Sequence, residues 1–345
     1  MKALLYQGAR DIRYEDLADA KLEADTDVLV KMDRCGICGS DLHIYHGEGF
    51  SPELGYCVGH EAVGEVVEVG NKVRRLKSGD MVMLSAAVGC GNCAPCLAGN
   101  VTQCETGMMG CYGLGPALQG CQSEAIRVPM GDFNARPIPD GLSLDQALLL
   151  TDNLPTAHLG CKNANIEPGS TVGVVGLGPI GLMAVEICFA LGAGKVYAID
   201  LVKERRDMAA SLGAIPLDPA TAAQEIAEAT SNRMLDSVVE CVGADATISL
   251  SIGLAKRWGT VSAIGVNQSM DFKFPMGLAF AKGLKFAIGT CSVQSHWDEL
   301  IALIHAGRLH PEKFITHTMP LSEGAEAYRL FDAREGGALK MVMTG

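Results

Sequence analysis

The sequence is poor in positive charge, in aromatic residues and in long apolar runs. Its 345 residues include 28 Lys and Arg against 40 Asp and Glu, and only 5% are aromatic. The net charge of -12 repels the phosphate backbone of a nucleic acid, and no basic stripe offsets it, so we expect no nucleic-acid partner. No apolar run is long enough to span a bilayer, which argues against a membrane partner. The N-terminal residues lack the apolar core of a signal peptide, so we predict a cytoplasmic protein.

The composition is that of a folded globular chain. Hydrophobic residues make up 48% and charged residues 20%, without a low-complexity tract. The length suggests two domains. The 13 cysteines are an odd number, and their spacing favours metal ligation and buried thiols over disulfides.

The pattern of apolar residues changes near residue 155. Up to about residue 130, short Val-rich segments alternate with Gly and Asp turns, which predicts an irregular β-rich domain. From about residue 168, strands such as Thr171–Val175 and Lys195–Ile199 flank an apolar helical segment at 179–191. The pattern also predicts a helix at 221–230, a strand at 237–240 and a final strand at 338–343. Alternating strands and helices predict a parallel sheet, so the chain is expected to be an α/β protein with a β-rich domain and a parallel-sheet domain.

Four cysteines lie within fifteen residues in the spacing C-x2-C-x2-C-x7-C. They are Cys90, Cys93, Cys96 and Cys104, set among small residues and a proline that let the chain turn tightly. Four converging thiolates suit a closed tetrahedral zinc site, and four protein ligands leave no open position for chemistry. We therefore predict a structural zinc. An iron–sulfur cluster and unconnected core thiols are the alternatives.

A second group of potential ligands lies between residues 35 and 61. Cys35 and Cys38 form a C-x-x-C pair, and His60 and Glu61 follow further along. The pair alone is also compatible with a redox site, although no thioredoxin-like βαβ unit surrounds it, and His60 alone is compatible with a core position.

A dinucleotide-binding fingerprint follows the strand at Thr171–Val175. Gly176, Gly178 and Gly181 form G-x-G-x-x-G at the start of a helix, where glycines let backbone amides approach a pyrophosphate. Asp200 ends the next strand, where a carboxylate accepts the ribose hydroxyls and repels a 2′-phosphate. NAD is thus favoured over NADP, although basic residues at 203, 205 and 206 leave the choice open.

Taken together, these motifs resemble those of the zinc-dependent medium-chain alcohol dehydrogenases, over essentially the whole chain. The matching pieces are Cys-Gly-Ser-Asp at 38–41, Gly-His-Glu-Ala-Val-Gly at 59–64, the four-cysteine segment, Thr-Asp-Asn-Leu-Pro-Thr-Ala at 151–157 and Gly-Leu-Gly-Pro-Ile-Gly at 176–181. The resemblance implies a GroES-like catalytic domain at 1–154 and 291–345 and a doubly wound Rossmann domain at 155–290.

The resemblance also implies a second, catalytic zinc. In the family it is held by the residues that match Cys38 and His60, and in the bacterial secondary-alcohol branch by an aspartate that matches Asp152. Cys161 is a rival third ligand. Glu61 resembles a residue that enters the metal shell when no substrate is bound.

The resemblance further implies a proton relay and a set of cofactor contacts. Ser40 would take the proton of the alcohol and pass it through the cofactor ribose to His43 for release to water. Arg205 corresponds to a position beside the adenosine ribose, with a solvated helix face as the alternative. The implied cofactor residues are Thr156, Gly176, Gly178, Pro179, Ile180, Gly181, Asp200, Arg205, Val242, Gly265 and Val266.

The function expected from the sequence is a zinc-dependent alcohol dehydrogenase with two zinc ions per chain. It would interconvert an alcohol, secondary rather than primary, and a ketone or aldehyde with NAD. The alternatives are a glutathione-independent formaldehyde dehydrogenase, a polyol or threonine dehydrogenase, and a non-catalytic zinc- and dinucleotide-binding protein. The resemblance implies a homodimer or homotetramer that pairs through the nucleotide-binding domain, with the strand Lys285–Ile288 at its edge.

Overall fold

The chain divides into two units in the computed structural model, which describes residues 1–106 and 110–345. The first unit contains Met1–Pro155, Cys291–His305 and His310–Gly345, and the second contains Thr156–Thr290 and Ala306–Leu309. The domain limits predicted from the sequence differ at two places, since Pro155 lies in the first unit and Ala306–Leu309 in the second. In the latter segment the Arg308 guanidinium donates a 2.9 Å hydrogen bond to the backbone oxygen of Ala190, a residue of the second unit.

The first unit is built mainly from short strands, as its Val-rich alternation predicts. Up to residue 155 its strands are β1 (Lys2–Gly8), β2 (Asp11–Asp16), β3 (Val28–Ile37), β4 (Tyr56–Cys57), β5 (Ala62–Val69), β6 (Met81–Leu84), β7 (Ala87–Val88), β8 (Gly110–Cys111), β9 (Ala125–Val128) and β10 (Ala135–Pro137). Its helices are α1 (Asp41–Tyr45), α2 (Ala94–Leu97), α3 (Gly131–Asn134), α4 (Leu144–Leu149) and α5 (Asn153–Asn163), the last of which continues into the second unit.

The second unit is a parallel sheet with helical connections. Its strands are β11 (Thr171–Val175), β12 (Lys195–Ile199), β13 (Ile215–Leu217), β14 (Leu235–Glu240), β15 (Ala255–Ala263) and β16 (Lys285–Ile288). Its helices are α6 (Pro179–Ala190), α7 (Lys203–Ser211), α8 (Pro219–Ala229), α9 (Asp245–Leu254) and α10 (Met276–Lys282). The sheet order is β13-β12-β11-β14-β15-β16 with every pair parallel, which is the 3-2-1-4-5-6 order of a dinucleotide-binding fold and confirms the predicted fold class.

The chain then returns to the first unit. The remaining elements are α11 (Trp297–His305), β17 (His317–Pro320), α12 (Gly324–Ala333) and β18 (Met341–Thr344). Single turns of 3-10 helix lie at Val101–Gln103, Val293–His296, Pro311–Phe314, Leu321–Glu323 and Glu335–Gly337. Among the described residues, no helix combines the length and the hydropathy that a bilayer crossing requires.

The sheets of the first unit place the ends of β3 and β5 side by side. The larger sheet has the order β10-β6-β5-β3-β18-β17, with β9 also paired to β3, and smaller sheets have the orders β2-β1-β4 and β7-β8. β3 pairs antiparallel with β5, so Cys35 lies opposite Ala62, and the end of β3 meets the start of β5. On the other side β18 pairs antiparallel with β3, with Met341 opposite Ile37. The residues just beyond these strand ends form the first site below.

Candidate functional site

Four potential metal ligands come together in the first unit, at the end of one strand, the start of another strand and the start of a helix. Cys38 follows β3, His60 and Glu61 precede β5, and Asp152 precedes α5. One ligand atom from each of the four lies within 4.8 Å of all the others. Cys38, His60 and Glu61 are buried, and the Asp152 side chain is partly accessible. The fold therefore gathers residues that lie up to 114 positions apart in the sequence.

The spacing of these atoms suits a tetrahedral zinc ion. The Asp152 Oδ2 atom lies 3.3 Å from Cys38 Sγ and 3.6 Å from His60 Nε2. Zinc bonds of about 2.3 Å to sulfur and about 2.0–2.2 Å to nitrogen or oxygen place tetrahedral ligand atoms roughly 3.3–3.7 Å apart. One thiolate, one imidazole and one carboxylate are all zinc ligand types. The three residues fit the ion that the sequence motifs imply.

Asp41 fixes the orientation of the His60 ring. Its Oδ1 atom lies 3.1 Å from His60 Nδ1, although the two are not aligned as a full hydrogen bond. Its Oδ2 atom accepts a 2.9 Å hydrogen bond from the Cys38 amide. Asp41 thus holds the first turn of α1, and its carboxylate beside His60 Nδ1 leaves His60 Nε2 facing the other ligand atoms, as carboxylates commonly do beside metal-bound histidines.

The charges around the cluster favour a bound cation. Burial disfavours ionisation of Asp152, but the hydrogen bond and charge of His60, with a contribution from Lys340, lower its pKa to about 2. Asp152 is therefore a carboxylate at neutral pH. Burial also opposes the charged form of His60, yet the Asp41 carboxylate raises the His60 pKa well above its usual value. Both shifts show that the buried acidic groups attract positive charge, which a divalent metal supplies.

Glu61 belongs to the cluster, but other side chains hold both of its carboxylate oxygens. Its Oε2 atom forms an ion pair with Lys340 Nζ, and its Oε1 atom accepts a 2.7 Å hydrogen bond from Asn153 Nδ2. Lys340 is fully buried and also donates a 3.0 Å hydrogen bond to the Ile37 carbonyl. Sequence reasoning missed Lys340 and Asn153. The only sequence feature that could have pointed to Lys340 is its place within an apolar run, because a lysine buried there requires a partner of opposite charge.

The two residues predicted for proton transfer lie at the start of α1. Ser40 Oγ is 3.4 Å from His60 Nε2, so the Ser40 hydroxyl borders the ligand cluster. His43, three residues further on, is partly exposed, and its Nδ1 atom lies 3.9 Å from a Glu48 carboxylate oxygen. One group therefore faces the cluster and the other reaches solvent.

Cys161, the rival third ligand, lies elsewhere. It is buried on α5 within the second unit, with its thiol 3.6 Å from the Ala184 carbonyl oxygen and 3.8 Å from Cys188 Sγ. Within residues 1–106 and 110–345, the potential metal cluster around Cys38 contains Asp152 and not Cys161.

The four clustered cysteines also converge. The Sγ atoms of Cys90 and Cys96 are 4.0 Å apart, and those of Cys93 and Cys104 are 3.9 Å apart. A tetrahedral zinc with bonds of about 2.3 Å places its sulfur ligands roughly 3.8 Å apart, whereas a disulfide requires about 2.05 Å. All thirteen cysteines of the chain are free. Burial opposes ionisation of Cys90, but hydrogen bonds from the backbone lower its pKa to about 6, which favours the thiolate that a metal needs.

The segment that carries Cys90, Cys93, Cys96 and Cys104 is called the four-cysteine lobe below. We expect a Cys96→Ser variant to lose the metal of this lobe, and the variant protein to lose much of its stability. Three thiolates bind zinc more weakly than four, and a structural zinc contributes folding free energy directly. The midpoint of thermal unfolding is expected to fall by roughly 10 °C, corresponding to a loss of a few kcal/mol. The measurement is a thermal melt with and without chelator, together with zinc content. Cys121→Ser, which removes a buried thiol outside the lobe, is the matched control. Full zinc content in Cys96→Ser would contradict a zinc role for the lobe.

In the second unit, the glycine-rich turn between β11 and α6 is shaped to admit a ligand at a helix N-terminus. Gly176 has φ +89°, and a Cβ atom there would lie 2.3 Å from Val242 Cγ2. A Cβ atom on Gly181 would lie 1.8 Å from the Gly176 carbonyl oxygen. Gly178 is the N-cap of α6, and Pro179 and Ile180 form the first turn of that helix. The free amides of this turn suit a pyrophosphate.

Asp200 lies beside this turn, as the sequence predicts. Its Oδ2 atom accepts a 2.6 Å hydrogen bond from the Leu177 amide, and its Oδ1 atom accepts a 2.7 Å bond from the Val202 amide. Two nearby cations pair with other acids, since Arg206 lies 3.2 Å from Asp218 and Lys203 lies 2.6 Å from Asp207.

The remaining predicted cofactor residues occupy separate elements of the second unit. Gly265 packs against Gly243, where a Cβ atom would lie 2.0 Å from the Gly243 amide nitrogen, so the loops after β14 and β15 touch through their backbones. These loops carry Val242 and Val266. Thr156 lies on α5, and Arg205 lies on α7.

Comparison with known proteins gives matches along the chain. Residues 24–140 match the model "Alcohol dehydrogenase GroES-like domain", and residues 179–306 match "Zinc-binding dehydrogenase". A probable zinc-binding alcohol dehydrogenase of Mycobacterium tuberculosis is 40% identical over 99% of this chain and 88% of its own length.

Solved structures agree with these matches. The alcohol dehydrogenase TADH from Thermus sp. ATN1 superposes with a TM-score of 0.93 at 39% identity, covering 100% of this chain and 99% of that one. A putative zinc-binding dehydrogenase from Sinorhizobium meliloti, solved with bound NADP, has a TM-score of 0.86 at 27% identity with the same coverage.

Proposed function

Because the chain belongs to the zinc-type alcohol dehydrogenase family, we propose that it catalyses reversible hydride transfer between an alcohol and NAD, giving a ketone or aldehyde. The observation that carries the proposal is the cluster of Cys38, His60 and Asp152, which offers three different zinc ligand types at tetrahedral spacing. The Asp152 ligand, in its Thr-Asp segment, is the feature that favours secondary alcohols.

The ligand set suits a catalytic rather than a structural zinc. When bound by Cys38, His60 and Asp152, zinc supplies a Lewis acid that stabilises negative charge on the substrate oxygen. Three protein ligands leave a fourth position for the substrate. Glu61 does not take that position while Lys340 and Asn153 hold its two carboxylate oxygens.

Protein side chains at the start of α1 carry the proton of the alcohol. Ser40 Oγ, which borders the ligand cluster, accepts this proton through a hydrogen bond. The partly exposed His43 exchanges it with water, because its imidazole reaches solvent and can both accept and donate a proton. Ser40 is thus the internal group and His43 the solvent-facing group of the relay.

The second unit holds the dinucleotide. The amides of the turn at 176–181 bind the pyrophosphate, and Asp200 binds the adenosine ribose. Bound NAD supplies the hydride acceptor. The loops at 242–243 and 265–266, with Thr156 and Arg205, complete the proposed cofactor contacts.

The proposed reaction is tested by absorbance at 340 nm with the purified full chain. NAD or NADP is combined with primary, secondary and polyhydroxy alcohols and with formaldehyde, with and without a zinc chelator. We expect chelator-sensitive reduction of NAD with secondary alcohols. A preference for formaldehyde or for a polyol would show that secondary alcohols are not the substrate class. Absence of turnover across the panel, in protein that holds two zinc ions per chain, would contradict the enzymatic role.

We also propose that the second unit pairs with its copy through strand β16. This strand is the last in the sheet, so among residues 1–106 and 110–345 one of its edges has no partner strand. Large apolar side chains are exposed around it: Trp258 at 82%, Met276 at 66%, Phe280 at 85% and Ile288 at 67%. An exposed apolar patch beside an open sheet edge is typical of an interface, and a two-fold axis would extend the sheet across both copies.

We expect Phe280→Asp to shift the protein from dimer or tetramer towards monomer in size-exclusion chromatography with light scattering. A charge buried in an apolar interface costs several kcal/mol. Trp258 gives a second readout, because the only other tryptophan, Trp297, is buried, so quenching by acrylamide should rise when the interface opens. Leu54→Asp, at an exposed position of the first unit, is the control. A wild-type monomer would overturn the assembly.

A further inference from the structure

Asn153 contacts three of the four residues in the ligand cluster but is not itself a potential ligand. It is 1% exposed, and its Nδ2 atom lies 2.7 Å from Glu61 Oε1 and 2.9 Å from Asp152 Oδ2. The same nitrogen lies 3.5 Å from Cys38 Sγ. In the part of the chain that the structure describes, its Oδ1 atom has no hydrogen-bond partner. The reversed amide would turn that oxygen towards two carboxylates and a sulfur, so the observed orientation is electrostatically required.

We propose that Asn153 is a positioning residue that sets the electron density of the metal ligands and holds Glu61 away from the metal. This inference rests on the proposed catalytic zinc at Cys38, His60 and Asp152. An amide hydrogen bond to a carboxylate or thiolate withdraws electron density from it, so the ligand gives less charge to the metal. The metal then remains a stronger Lewis acid than the same ligands alone would make it.

The amide is the side chain that suits this place. Asn153 is the first residue of α5, directly after the ligand Asp152, so its position follows that of the ligand. An acidic residue would add a carboxylate to a buried group that already contains Glu61 and Asp152, and a cationic residue would compete with the metal. The amide donates two N–H groups without adding charge. Lys340 holds the second oxygen of Glu61, so Asn153 and Lys340 together fix that carboxylate.

The inference is tested with two variants that remove the donors in different ways. Asn153→Leu keeps nearly the same volume, and Asn153→Ala leaves a cavity, so an effect shared by both reports the lost N–H groups rather than packing. Asn163→Leu, at the last residue of the same helix, is the matched control. Each full-length variant is loaded with Co²⁺ in place of zinc. The spectrum of a Cys38→Ser variant, which keeps the four-cysteine lobe, is subtracted to isolate the Cys38 contribution.

In both Asn153 variants we expect the thiolate-to-cobalt charge-transfer band to move to longer wavelength. Cys38 Sγ, 3.5 Å from Asn153 Nδ2, then lacks the positive end of the amide dipole and holds its electrons less tightly. We also expect zinc transfer to a chelator to accelerate by about 10–100-fold, because Asp152 loses the hydrogen bond that holds it in the ligand position. A variant that is only less stable would melt earlier without a change in band position. An unchanged band and unchanged transfer rate in both variants would overturn the inference alone. Wild-type protein without any Cys38-dependent band would overturn the proposed catalytic zinc, and the inference with it.

Discussion

Replacing Asp152 with Asn is expected to lower kcat/KM for alcohol oxidation by on the order of 10³-fold, because the Lewis acid contributes several kcal/mol to the barrier. The amide has the shape of the carboxylate but neither its charge nor its affinity for zinc. Asp152 also lies against Cys38 and His60, so loss of its charge changes the electrostatic environment of the other two proposed ligands. Steady-state kinetics and zinc content per chain are the measurements, and the zinc content should fall from two ions to one.

The control for this experiment is Cys161→Ser. Its thiol contacts the Ala184 carbonyl within the second unit, so its loss should leave the zinc content and the turnover near those of the wild type. Full activity in Asp152→Asn would exclude Asp152 as a ligand. Glu61 would then replace it in the proposed site, since Cys161 lies outside the cluster.

Replacing Asp200 with Asn is expected to move the ratio of kcat/KM for NAD to that for NADP by about 10²-fold towards NADP. A carboxylate next to a 2′-phosphate costs several kcal/mol, and each 1.4 kcal/mol is about tenfold. The asparagine oxygen can still accept the Leu177 amide that Asp200 Oδ2 accepts now, so the turn should keep its shape although the Val202 amide loses its bond to Oδ1. Both cofactors are measured with the same alcohol.

Asp207→Asn is the matched control for the cofactor experiment. It removes the same charge from the exposed face of α7, where Asp207 pairs with Lys203. We expect its cofactor ratio to stay within about twofold of the wild type, because exposed charges are screened. An unchanged NAD-to-NADP ratio in Asp200→Asn would show that residues other than Asp200 discriminate between the two cofactors. Arg205 would be the first of these to examine.

The second unit was predicted more accurately than the first because its signals are local. The bounds of β11, β12 and β16 agree with the sequence prediction, and the helix predicted at 221–230 is observed at Pro219–Ala229. In a βα unit, apolar strands, glycine turns and helices follow one another within about 30 residues, so neighbouring residues carry most of the information. The strand predicted at 237–240 begins two residues earlier, at Leu235.

The first unit shows where sequence reasoning fails. The sequence predicts a final strand at 338–343, but β18 is Met341–Thr344. Lys340, just before it, turns its side chain towards Glu61 and the Ile37 carbonyl. No pattern near residue 340 indicates a partner that lies 279 positions away. The ligand residues were found because their motifs are compact. Asn153 lies within the motif at 151–157, but its contacts with the ligand cluster depend on how the end of β3, the start of β5 and the start of α5 meet in the fold.

The return of the chain to the first unit has a consequence for the order of folding. Lys340 and Ile37, which share a hydrogen bond beside the metal cluster, are separated by 303 positions, and the whole second unit lies between them in the sequence. Contacts of such long sequence separation form slowly, whereas the βα units of the second unit can close over short distances. We therefore expect the second unit to fold first and the pairing of β18 with β3 to come late. Until that pairing forms, Glu61 lacks its cation, so a competent metal site is expected to appear only in the last step of folding.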